Sequence, residues 1–225
     1  MFVFDLPTPS VAIRNDPRRF PIRRVYCVGR NYAAHAREMG GDPTKEPPFF
    51  FMKPADAVTP AGNVAYPPDT DNLHYEAELV VAIGHPGRDI TVKDAWAHVF
   101  GYGVGVDLTR RDRQDEARGP GRPWERGKAF DQSAPLSALT PSGEIGHMTD
   151  AAISLSVNGV QKQNSNITHL IWSVPEIISI LSRSWALERG DLIYTGTPEG
   201  VGPIKRGDEI HANVAGLEDL KFRMV

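Results

Sequence analysis

His74-Tyr75-Glu76-Ala77-Glu78-Leu79-Val80-Val81, running on to Ile83, is the stretch on which the fold turns. Its Val, Leu and Ala character predicts a β-strand over Glu76–Ile83. Side chains alternate across a strand, so Glu76 and Glu78 share one face while Ala77 takes the other. Two carboxylates side by side on a mostly apolar strand are unfavourable unless they share a cation or a proton. The plainer alternative is a solvated edge strand with two surface glutamates, and spacing alone leaves the two readings level.

Outward from this strand, Gly101–Val106 alternates glycine with Tyr102, Val104 and Val106, and reads as a second strand against which other backbone packs closely. Between them, Val92, Ala95, Trp96 and Val99 fall at helical spacing and predict a helix with one apolar face. Upstream, Val25–Val28 reads as a strand, Arg30–Met39 as a helix ended by Gly40-Gly41, and Phe49-Phe50-Phe51-Met52 as a buried strand with Lys53 at its end. Residues 1–22, with four prolines and no period, read as an irregular lead-in to a domain spanning 23–225. Downstream, residues 108–127 read as a short helix followed by a mobile loop. Ile153–Val157 with Asn158-Gly159 is a hairpin signal. Ser173-Val174-Pro175-Glu176 is a capping box opening a helix through Trp185, and Asp191–Thr197 is a further strand. Many short strands, three or four helices and no regular βα alternation predict a mixed α+β fold.

The 225 residues are 40% hydrophobic and 24% charged, an ordinary globular composition with chain enough for one core. A formal net charge of −3 gives no electrostatic case for nucleic acid or an anionic membrane as partner. No apolar run approaches the roughly 18 residues a membrane span needs. Met1–Pro7 lacks the pattern of a secretory signal, and the single cysteine, Cys27, excludes an internal disulfide framework, so a cytoplasmic compartment is expected. Cys27 itself lies in an apolar strand, where a thiol is inert. No phosphate-loop, nucleophile-elbow or H-E-x-x-H pattern occurs.

Asp107 ends the Gly101–Val106 strand, where a carboxylate projects from the sheet edge. With Glu76 and Glu78 it makes three oxygen donors, a set suited to Mg²⁺ or Mn²⁺. His74 is read as supporting them, not as a ligand. His35 and Glu38, three apart on the predicted helix, can meet on one face. A carboxylate there orients the imidazole and makes it a better general base, though taken alone such a pair is more often an ordinary surface salt bridge. Lys128 is either a partly desolvated ammonium or solvated surface.

These residues and their surroundings resemble the fumarylacetoacetate hydrolase superfamily, in its short, single-domain acylpyruvase branch. The resemblance is carried by Cys27-Val28-Gly29-Arg30-Asn31-Tyr32, Asn72–Leu79, Gly105–Asp112, Gly127-Lys128-Ala129-Phe130-Asp131 and Leu192–Pro203, in that order. It implies a distorted mixed β-roll with a few peripheral helices, a homodimer, and one Mg²⁺ or Mn²⁺ per subunit held by Glu76, Glu78 and Asp107. By the same likeness His35 and Glu38 activate water, Lys128 and Gln114 bind the reacting oxygens, and Thr197 takes the substrate's carboxylate end. Arg30, Tyr32, Lys53 and Arg111 are carried over as substrate contacts without a fixed role. The implied reaction is hydrolysis of a carbon–carbon bond in a 2,4-dioxo acid. The Glu46–Asp56 stretch narrows the likeness to the fumarylpyruvate hydrolases of bacterial gentisate breakdown. Oxaloacetate decarboxylation, isomerisation of a dienedioate, and non-catalytic binding of metal and keto acid are the alternatives.

Overall fold

The computed structural model describes residues 2–38 and 47–225. In chain order the first elements are β1 Ser10–Ile13, β2 Asp16–Pro21, β3 Arg24–Gly29, α1 Ala33–Glu38, β4 Phe49–Lys53, β5 Val58–Thr59, β6 Gly62–Val64, β7 Leu73–Tyr75, β8 Ala77–Ile83 and β9 Val99–Val106. There follow β10 Thr109–Arg110, α2 Arg111–Arg118, α3 Glu125–Lys128, β11 Ala134–Pro135, β12 Thr140–Pro141 and α4 Ser142–Ile145. The last are β13 Ala152–Val157, β14 Val160–Asn166, α5 Val174–Ser184, β15 Asp191–Tyr194, β16 Gly202–Ile204, β17 Glu209–Val214 and β18 Leu220–Met224.

Two larger sheets carry the architecture, one of six strands ordered β12-β9-β8-β15-β3-β4 and one of five ordered β14-β13-β17-β18-β6. Both are mixed: β15 runs parallel to β3 but antiparallel to β8, and β18 runs parallel to β6. The larger core lies between the sheets and under α5, joining Leu79, Val81 and Ile83 to Leu155, Ala212, Phe222 and Ile178. Val80 and Ala82 face a second core with Val11, Phe20 and Leu192. With both its faces covered, β8 is uniformly apolar from Leu79 to Ile83. This is the α+β sheet roll that the resemblance implied.

Several expectations are corrected. The N-terminal lead-in contains the β1–β2 hairpin, whose Val11 and Phe20 cap the second core despite the surrounding prolines. Val92–Val99 is not a helix: Val92 is exposed, Ala95–His98 forms one 3₁₀ turn, and Val99 already belongs to β9. Phe49–Met52 forms a sheet-edge strand, half-buried with Met52 exposed. After α2 the chain forms a further helical turn, α3, which ends on Lys128. The expected stop of the first helix at Met39 and Gly40-Gly41 lies outside the described residues.

The strand expected over Glu76–Ile83 starts one residue later. Glu76 is the joint between β7, in a three-stranded sheet with β10 and β16, and β8, in the six-stranded one. That joint builds the site. Pairing of Ala77 with Val106 brings Glu76 and Asp107 to the same end of the β8–β9 ladder, where Asp107 N–H donates to the Glu76 carbonyl (2.8 Å).

Candidate active site

Glu76, Glu78 and Asp107 are buried and each offers an oxygen within 4.8 Å of the others. Three buried carboxylates this close need positive charge or protons. Lys128, at the end of α3, meets two of them: its Nζ donates to Glu76 Oε2 (2.7 Å), Asp107 Oδ2 (2.7 Å) and Thr109 Oγ1 (2.6 Å). Burial pushes Glu76 up, but Lys128 and Arg111 outweigh it and hold that carboxyl well below the usual range. Glu78 receives one neutral donor, Gly196 N–H at 2.7 Å. Burial, then repulsion from Asp107 and Glu76, pushes its carboxyl well above the usual range. Asp107 Oδ1 lies 2.8 Å from Lys53 Nζ, yet accepts no hydrogen bond among the described residues. A buried oxygen without a hydrogen bond and a carboxyl pushed toward its protonated form both suit a shared divalent ion, and an all-oxygen set suits Mg²⁺ or Mn²⁺.

His35, on α1, lines the same cleft and lies near enough to Glu76 to help hold its charge. His35 Nδ1 is 3.1 Å from Glu38 Oε2, so the pair expected from spacing forms, with the imidazole buried and the carboxylate partly exposed. Arg111 and Gln114 share the inner face of α2. The Arg111 guanidinium donates to both Glu76 Oε1 and Gln114 Oε1, leaving the Gln114 amide nitrogen as that side chain's donor. His74 accepts from Arg111 Nε (3.4 Å), and burial and then Arg111 lower it to about 4. It lies against Arg111, outside the cluster of carboxylate oxygens.

Thr197 lines the cleft and its Oγ1 accepts from Gln163 Nε2 (2.9 Å). Gln163 also accepts from Ala77 N–H (3.0 Å) and donates to the Pro198 carbonyl (2.8 Å), tying the start of β8 to the Thr195-Gly196-Thr197-Pro198 turn. Gly196 has φ +103°, and a Cβ there would lie 2.7 Å from that of Asn31, so the turn that serves Glu78 requires glycine.

Two expected substrate contacts are displaced. Lys53 does not line the cleft: its buried ammonium faces Asp107 and donates to the carbonyls of Leu108 (3.2 Å) and Lys128. Tyr32 is buried in a bridge with Leu170, outside the lining of the cleft, and burial raises its phenol. The lining of the cleft therefore offers no support for the expected contacts of Lys53 and Tyr32 with substrate. Arg30 does line the cleft, which encloses about 440 Å³ of space, part of it open to solvent. The cleft also holds residues that sequence reasoning did not assign, chiefly Phe49, Phe51 and Trp124. Period-2 alternation of Phe49 and Phe51 was the available signal for two of them. Gln163 and Thr109 had none, because what they hold is distant in sequence or set by the fold.

Residues 24–225 match the family model described as the fumarylacetoacetate (FAA) hydrolase C-terminal domain. The chain belongs to the fumarylacetoacetate hydrolase family. Within that family it is 46% identical over 182 residues to a fumarylpyruvate hydrolase of Ralstonia sp, covering 80% of this chain and 94% of the relative. The crystal structure of fumarylpyruvate hydrolase from Pseudomonas aeruginosa, in complex with Mn²⁺ and pyruvate, is 55% identical. It superposes with a TM-score of 0.98 over 100% of this chain and 99% of that one. A mitochondrial oxaloacetate tautomerase of Bos taurus is 42% identical over 203 residues, 90% of this chain and 91% of the relative.

Proposed function

We propose that this protein is a Mg²⁺- or Mn²⁺-dependent hydrolase of acylpyruvates that converts fumarylpyruvate and water to fumarate and pyruvate. The observation that carries this reading is the buried Glu76–Glu78–Asp107 triad opening on the same cleft as the His35–Glu38 pair. The Pseudomonas aeruginosa relative supports it, since pyruvate is one of the two products the reading requires. Held by the triad, a divalent ion would supply Lewis-acid stabilisation of the charge that develops on the pyruvate half.

The chain's own residues do the rest. His35, oriented by Glu38, takes a proton from water as that water bonds to the distal carbonyl carbon. Lys128 and Gln114 present N–H donors to the oxygen that becomes negative, an interaction worth roughly 2.7–4 kcal/mol per donor. The Lys128 protons are engaged with Glu76, Asp107 and Thr109, so this ammonium must exchange one partner for the substrate. Collapse breaks the bond to the adjacent methylene, which receives the electron pair and then a proton, completing pyruvate. Thr197 takes the carboxylate end, from the turn that Gln163 holds. The same reading makes the protein a cytoplasmic homodimer of aromatic catabolism; sedimentation at micromolar concentration tests the dimer.

Oxaloacetate chemistry is the second reading, favoured by the identity to the oxaloacetate tautomerase. Decarboxylation of oxaloacetate needs no attacking water, so His35 separates the two. Fumarylpyruvate, acetylpyruvate and oxaloacetate are assayed with Mn²⁺ and with EDTA. His35→Ala is expected to lose about 10²–10⁴-fold in fumarylpyruvate hydrolysis while calorimetric Mn²⁺ affinity stays intact. Undiminished hydrolysis in that variant removes the pair from the mechanism.

A further inference from the structure

Beside the carboxylates the cleft continues along a wall of aromatic rings that no step above uses. Phe49 and Phe51 alternate on β4, so both rings face the cleft while Phe50 turns to the core against Trp185. Trp124, just before α3, packs on both, edge-on to Phe49 at 5.3 Å and tilted to Phe51 at 5.9 Å. At one end of this wall the Lys128 ammonium lies 5.0 Å from the Phe51 ring; at the other, the Arg30 guanidinium lies 5.9 Å from the Phe49 ring. The chain is shaped to allow this. Gly29 pairs with Phe49, and a Cβ on Gly29 would lie 2.1 Å from the ring, so only glycine lets the ring reach across. Arg30 itself sits at φ +53°, a left-handed conformation that is costly for a residue that is not glycine. A strained backbone that delivers a cation into a cleft is a mark of a binding role.

We infer that Arg30 and the Phe49–Trp124–Phe51 wall form the acyl-chain subsite, which selects a flat, unsaturated chain ending in a carboxylate. This rests on the acylpyruvate reading. Three rings in succession suit a planar conjugated chain lying along them, and a guanidinium at the far end suits a terminal carboxylate. The pyruvate half then lies at the triad, and Arg30 distinguishes a fumaryl group from an acetyl group.

The test compares kcat/KM for fumarylpyruvate with that for acetylpyruvate in the Mn²⁺-loaded protein. Arg30→Gly relieves the φ strain and is expected to melt no lower than the parent. Its ratio of fumarylpyruvate to acetylpyruvate is expected to fall about tenfold to hundredfold, the loss typical of one hydrogen bond to a charged group. Arg30→Lys keeps the charge and should recover part of the ratio. Trp124→Ala should lower the ratio as well, by removing the surface along which the chain lies. A ratio unchanged in Arg30→Gly overturns the inference. Calorimetry of fumarate against crotonate, which lacks the second carboxylate, separates this inference from the reading beneath it. If the parent hydrolyses neither acylpyruvate, the functional reading fails and the calorimetry still decides the subsite. Preference for fumarate that disappears in Arg30→Gly supports the subsite; equal affinities in the parent, or a preference that persists, overturns it.

Discussion

Glu78 is held above its usual carboxyl range by burial and by two carboxylate neighbours, which fixes the sign of a pH effect. A carboxyl raised in the folded state contributes stability that is present below its unfolded value, near 4.5, and is lost as pH climbs through the folded value. The metal-free protein is therefore expected to melt lower as pH rises from about 5 to about 8, and the Mn²⁺-loaded protein to fall less, because the ion replaces the proton. Melting curves with Mn²⁺ and with EDTA check this, and a gap between them that narrows with rising pH contradicts it. Lys53 makes a second prediction. Lys53→Met leaves Asp107 without that cation, and chemical denaturation of the metal-free protein should register a loss of about 3–5 kcal/mol. A loss under about 1 kcal/mol would show that Asp107 does not depend on it. At this scale the carboxylate cluster was legible, because like charges on an apolar strand need an explanation. Lys53 and Tyr32 fall outside the lining of the cleft, which their motifs do not reveal, because a motif names a residue without saying which way it faces. Gln163 gave no signal at all, since its partners Ala77 and Thr197 lie 86 and 34 residues away.

At the scale of elements, local chemistry was readable wherever it is complete within a few residues. The Asn158-Gly159 turn has φ +51° and +77°, as a tight hairpin requires, and β13 pairs with β14 across it. At the start of α5, Ser173 N–H donates to the Glu176 carboxylate (2.8 Å). Glu176→Ala should cost about 1 kcal/mol, seen as a lower denaturation midpoint with an unchanged slope; no shift would mean that packing of Ile177, Ile178 and Leu181 alone sets the helix start. Where an element depends on tertiary contact, sequence reading failed. The β1–β2 hairpin forms among prolines because Val11 and Phe20 close the second core. The apolar spacing of Val92–Val99 was read at helical period, but its last residue belongs to a strand and its first to the surface.

For the whole molecule, the α+β class followed from the count of short strands, while the division into a six- and a five-stranded sheet did not. Which strand joins which sheet depends on the joint at Glu76, one residue wide and invisible in an apolar run. Because that joint also supplies one of the three carboxylates proposed to hold the ion, metal and fold are thermodynamically linked under that proposal. Mn²⁺ at about one hundred times its dissociation constant should stabilise the protein by about 2.7 kcal/mol. Glu76→Ala should abolish both that increment and calorimetric Mn²⁺ binding; unchanged affinity would remove Glu76 from the ligand set. Among the described residues no helix is long and apolar enough to cross a membrane.

The lysine and arginine side chains packed round the triad have one more consequence. With Glu78 ionised, Glu76, Glu78 and Asp107 are matched in number by Lys53, Lys128 and Arg111. The pocket is then formally neutral before any ion enters, so a bound divalent cation leaves two positive charges in a low-dielectric site. A buried surplus of that kind costs several kcal/mol until anions answer it. A ligand carrying two carboxylates supplies the missing countercharge, and its hydrolysis creates a third carboxylate and releases a proton, so the products, a dianion and a monoanion, overshoot the charge the pocket can match.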